Sequence, residues 1–182
     1  MADRSSGPML YANMAVLVSF GWLAILIGLA PIDARAAARP SPDLLFCVAA
    51  FLAIRRPSAT PAILVLLLGL VRDVIGGAPV GLGALTLWGA VEYLRFHRER
   101  LIRSLPAEIG VIAALAFLIP ALHLAAMTLT LAPSPALEVL ASGAVATIVA
   151  YCLVALLFRY VFRIRGEAEE NLRLIGRAER RR

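Results

Sequence analysis

Apolar residues run through this chain in long blocks broken by short polar segments, and the blocks set the elements to be expected. The first covers residues 10–30 and carries no charge. Its length suits a helix rising about 1.5 Å per residue across a hydrocarbon layer about 30 Å thick. It is also longer than the apolar region of a secretory leader, so a retained span is expected although Ala34-Arg35-Ala36 follows it. Blocks 42–54 and 61–75 come next, separated by Arg55, Arg56 and Pro57. The earlier of the two is short for a full crossing and reads as a thin, tilted helix or half of a re-entrant hairpin buried in protein. Asp43 stands at its start, where a carboxylate caps free backbone amides.

Gly76, Gly77, Pro79, Gly81 and Gly83 mark a tight turn, and a fourth helix is expected over 82–93, continuing toward Arg95. Residues 95–106 form a polar link. The fifth span, 109–131, holds Pro120 and His123 near its middle, Pro133 and Pro135 make a loop, and 139–158 is the sixth. The pattern predicts an all-α membrane protein of about six transmembrane helices. Residues 1–158 form one transmembrane domain, and 159–182 form a charged tail.

Composition strengthens this reading. The chain of 182 residues is 61% hydrophobic and 16% charged, more apolar surface than one soluble core of that size hides. All 18 basic residues are arginine, placed at block ends or in the tail, with no accompanying stripe of aromatics for base stacking. The net charge of +6 therefore speaks for membrane orientation and headgroup contact, with no nucleic acid expected as a partner. With six spans starting inside, fifteen arginines fall on cytoplasmic segments, only Arg35 and Arg39 fall outside, and Arg72 lies within a span. Both termini are expected in the cytoplasm. Arg159, Arg163 and Arg165 form a juxtamembrane cluster suited to anionic lipid headgroups.

The segment 69–77 is the most informative. Ionisable groups inside a span cost about 2.5–3.5 kcal/mol each on insertion scales and face protein or water. Gly69, Asp73 and Gly76 share one helix face, with Arg72 beside it. Arg72 and Asp73 are chain neighbours and project apart, so each is expected to find a partner elsewhere, with Asp43, Glu92 and His123 as candidates. The plainer alternative has Arg72 reaching to an interface and Asp73 capping a backbone amide in the turn. Glu92, Glu108 and Glu138 sit near span ends, where a headgroup-level role is expected. Gly143, Thr147 and Ala150 read as a packing face. Cys47 and Cys152 read as small buried apolar residues, and His123 lacks companions at ligand spacing, so no metal and no cofactor are expected. No nucleophile, phosphate loop or carboxylate pair stands out.

These motifs in their order have a familiar look. Pro42-Asp43-Leu44-Leu45, an apolar stretch ending in Arg55, Gly69-x-x-x-Asp73, Gly81-Leu82-Gly83-Ala84-Leu85 and Tyr93-Leu94 resemble the bacterial rod shape-determining MreD family. The resemblance covers residues 41–95, and size and hydropathy extend it to the rest. It implies a non-enzymatic inner-membrane component of the complex that builds lateral peptidoglycan. The implied partner is the bitopic protein MreC, and through it MreB, RodA and a class B penicillin-binding transpeptidase. The implied fold resembles the six-helix substrate-binding subunit of energy-coupling-factor vitamin transporters. Arg72 departs from the pattern, which has an apolar or neutral residue there. The partner or packing candidates are thus Pro42, Asp43, Gly69, Arg72, Asp73, Gly76, Gly81 and Gly83. A transporter subunit binding a small, vitamin-type molecule is the alternative function, and a lipid-modifying enzyme is a third.

Overall fold

The computed structural model describes residues 7–29, 42–76, 79–129 and 137–160, and these are all-helical apart from short connections. In chain order the helices are α1 (Gly7–Leu29), α2 (Leu44–Arg55), α3 (Ala62–Gly76), α4 (Leu82–Phe96), α5 (Arg98–Arg103), α6 (Leu105–Leu129) and α7 (Leu137–Tyr160). A 3-10 turn, Pro57–Ala59, joins α2 to α3.

Helix α2 is the axis of the bundle. Every side chain from Leu45 to Ile54 is buried, and α1, α4 and α7 pack around it. A helix that is apolar on all sides belongs in the middle of a protein, because it has no face to give to water. The short block at 42–54 is therefore surrounded by protein rather than lipid. Its ends are set locally: Asp43 Oδ1 accepts from Phe46 N at 3.0 Å, and Pro57 starts the 3-10 turn that follows Arg56.

Helices α3 and α4 form a tight antiparallel pair beside this axis. Gly69 makes the closeness possible, since a Cβ added there would stand 2.6 Å from the Ala84 Cα. Helix α6 runs unbroken through Pro120 and begins at Ser104, whose Oγ accepts from Ala107 N at 3.4 Å. Two described segments are long and apolar enough to cross a membrane, Leu105–Leu129 and Leu137–Phe158, each with mean hydropathy 2.3. At the far end of α7, the Phe158 ring lies 4.8 Å from Phe20 of α1 and 5.3 Å from Phe51 of α2, so three helices meet there.

The polar link at 95–106 is more ordered than its composition indicated. Residues Arg98–Arg103 form α5, and its Leu101 is buried. One apolar anchor was enough to hold a segment whose other five residues are charged or half-exposed.

Candidate functional site

Two polar junctions sit at opposite ends of α2. The first gathers the candidate residues of the resemblance. Asp43, the residue before α2, caps it with one carboxylate oxygen and accepts from Arg72 Nη1 with the other, at 2.6 Å. Its backbone N–H donates to Thr147 Oγ1 of α7 at 3.0 Å. Three helices, α2, α3 and α7, are thus tied at one residue. The Arg72 guanidinium also stands 3.8 Å from Asp73 Oδ1.

Asp73 works on a different element. Its Oδ2 accepts from Gly81 N at 3.1 Å and from Ala84 N at 3.0 Å, so a residue of α3 caps the start of α4. Two glycines are required for this. Gly81 has φ of +94°, a left-handed conformation that disfavours any side chain with a Cβ. A Cβ at Gly83 would collide with the Asp73 carboxylate. The motif Gly69-x-x-x-Asp73 with Gly81-x-Gly83 is one mechanical unit: Gly69 brings the helices together and Asp73 closes the turn between them.

The second junction lies at the other end of α2. Arg55 Nη2 donates to Glu108 Oε2 of α6 at 2.6 Å, and Tyr151 Oη of α7 donates to Glu108 Oε1 at 2.5 Å. Glu108 has a relative exposure of only 2%. The solvated role expected of it is overturned: a carboxylate with an arginine and a phenol as partners is compensated inside the protein, so burial is sustainable. The position does carry a signal, because Glu108, Ile112, Leu115 and Ala116 share one face and all are buried. Glu92, by contrast, is exposed and pairs with Arg95 at 3.1 Å.

A cavity of about 490 Å³ adjoins the first junction. Its walls come from Ile25 and Gly28 of α1, Ile119 and Met127 of α6, and Leu140 and Gly143 of α7. Asp43, Arg72 and Asp73 supply its charged floor, with Thr147 and His123 beside them. His123 Nδ1 lies 3.0 Å from the Ile119 carbonyl, one turn back in its own helix. Pro42 and Gly76 are also on the lining, so Gly76 borders open space while Gly69 and Asp73 are buried, although all three share a helical repeat.

Of the partner candidates for Arg72 and Asp73, the structure selects Asp43 for Arg72 and backbone amides for Asp73. Neither side chain engages Glu92 or His123 in these contacts. Thr147 and Ala150 of the predicted packing face are buried, and the Cys47 thiol donates to the Thr147 carbonyl at 3.4 Å. No metal-holding group of His, Cys, Asp or Glu occurs among the described residues. Arg159 lies in the last turn of α7, and Arg163 and Arg165 lie outside the described residues, as does Gly77. Comparison with protein-family models, with curated proteins and with solved structures finds no match for this chain.

Proposed function

We propose that this chain is a non-enzymatic scaffold of the bacterial inner membrane, of the MreD type, which positions peptidoglycan-synthesis partners through an MreC-like bitopic protein. The reading takes the bundle as six spans with both termini in the cytoplasm, in a fold resembling the substrate-binding subunits of energy-coupling-factor transporters. The arginine asymmetry supports that orientation. It sets the Asp43 junction toward the outer leaflet and the Glu108 junction toward the cytoplasm.

One observation carries the proposal. The scattered motifs of the resemblance, Pro42-Asp43, Gly69-x-x-x-Asp73 and Gly81-x-Gly83, meet in a single joint that fixes α2, α3 and α4 relative to one another. A joint of this kind gives shape and no chemistry: its carboxylates hold helix starts and an arginine rather than a reactive water or nucleophile. Outside it, α3 and α4 present exposed Leu67, Leu70, Val74, Leu85 and Trp88, an apolar surface suited to a partner's single span. Arg159, Arg163 and Arg165 would hold the end of the last helix at anionic headgroups.

The test is affinity purification of the tagged, full-length chain from its own membranes, with depletion of the chain in the same cells. Recovery of the MreC-type partner and conversion of rods to spheres are expected. Rod shape retained on depletion, with no such partner recovered, would overturn the reading. The cavity favours a second reading, a small-molecule-binding transporter subunit, since a polar-floored cavity near the outer face is what such a subunit needs. Recovery of an ATPase-containing energising module in place of the bitopic partner would select it.

A further inference from the structure

We infer that the cavity beside Asp43 is a binding site for a small monovalent organic cation with an apolar body. The inference rests on the cavity and its charges, and it holds whichever of the two readings above is correct.

Size and walls come first. A space of about 490 Å³ is in the range of small-molecule sites, and the side chains around most of it are aliphatic. The charged groups cluster at the start of α2 and the end of α3, with Thr147 of α7 bonded to Asp43 and His123 of α6 also on the lining. That arrangement fits a molecule with one polar head and an apolar remainder.

Charge decides the sign of the head. With His123 counted as neutral, Arg72 contributes one positive charge to the lining, and Asp43 and Asp73 contribute two negative ones, leaving a formal excess of one negative charge. Helix ends do not cancel this excess. Helices α1, α3 and α6 finish at the lining, while α2 and α7 begin there, so three negative dipole ends face two positive ones. Arg72 is already engaged by Asp43 at 2.6 Å and approached by Asp73 at 3.8 Å, so it is poorly placed to attract an anion. The open acid is Asp43, with a side chain 30% exposed against 1% for Asp73. A carboxylate accepts more than the two hydrogen bonds Asp43 now receives, and an ammonium group over it would neutralise the floor.

The experiment uses the purified full-length chain in a neutral detergent and three probes with one body: 4-phenylbutylammonium, 4-phenylbutanol and 4-phenylbutyrate. Calorimetric titration is expected to rank them in that order, the ammonium binding about tenfold tighter than the alcohol, a difference of about 1.4 kcal/mol. Asp43→Asn keeps an oxygen to cap α2 and is expected to bring the ammonium within about twofold of the alcohol. Gly28→Leu adds a bulky side chain at a lining position of α1, where an added Cβ meets nothing within 4 Å, and is expected to weaken both probes together. Melting curves like that of the native chain confirm that both variants fold. Equal affinity for the three heads, preference for the carboxylate, no binding of any probe, or an ammonium preference that survives Asp43→Asn would each overturn the proposal.

Discussion

The two ends of α2 solve one problem in different ways. At the Glu108 end, three side chains from three helices meet, and Arg55 and Tyr151 both serve one buried carboxylate. At the Asp43 end, the acids mainly hold helix starts, and Arg72 bridges them at the edge of a cavity. Removing the shared acid at the Glu108 end leaves a mostly buried arginine and a buried phenol without their common partner. An open joint is graded, since water or a ligand replaces a lost partner. The first arrangement suits a structural lock and the second suits a site that responds to what binds beside it.

This contrast ranks the consequences of substitution. Glu108→Ala should do the greatest damage, about 3–5 kcal/mol, because Arg55 and the Tyr151 hydroxyl lose their shared partner. It is read as a large drop in the melting temperature of the detergent-purified protein, and a drop no larger than that of Arg72→Gln would remove the contrast. Asp73→Ala comes next, at about 1–3 kcal/mol, since two backbone amides at the start of α4 lose their acceptor. Asp73→Asn should recover most of that loss, which separates capping from charge. Arg72→Gln should cost about 0.5–2 kcal/mol, because its partner Asp43 stays capping α2 and remains open to the cavity. A double-mutant cycle with Asp43→Asn gives the coupling of that pair directly. Glu92→Gln should move the melting temperature least, as its pairing with Arg95 is on the surface.

What the chain declared in advance follows the same division. The capping parts of the Asp43 joint were legible because they are local signals: an acid before an apolar block, a glycine and an acid one turn apart, and glycines in a turn. The choice of Asp43 by Arg72, 29 residues away, and of Thr147 by the Asp43 amide, 104 away, was not. Asp73 reaches its partners only eight and eleven residues along the chain. Gly76 shares the helical repeat of Gly69 and Asp73 but borders the cavity, because helical spacing assigns a face and not how far a neighbouring helix covers it. The Glu108 lock was hidden because its partners lie 53 and 43 residues away, and nothing near position 108 announces them. The burial of α2 in protein, one of the two readings its shortness allowed, follows from its lack of any polar face.

The central claim is that the Asp43–Arg72–Asp73 joint sets the shape by which this chain holds its partner in the membrane. The most direct measurement is recovery of the MreC-type partner with tagged Arg72→Gln and with tagged Glu92→Gln, both at the membrane abundance of the native chain. The account predicts a loss of about tenfold for Arg72→Gln, corresponding to about 1.4 kcal/mol of binding, and native recovery for Glu92→Gln. Native recovery with both variants would contradict it.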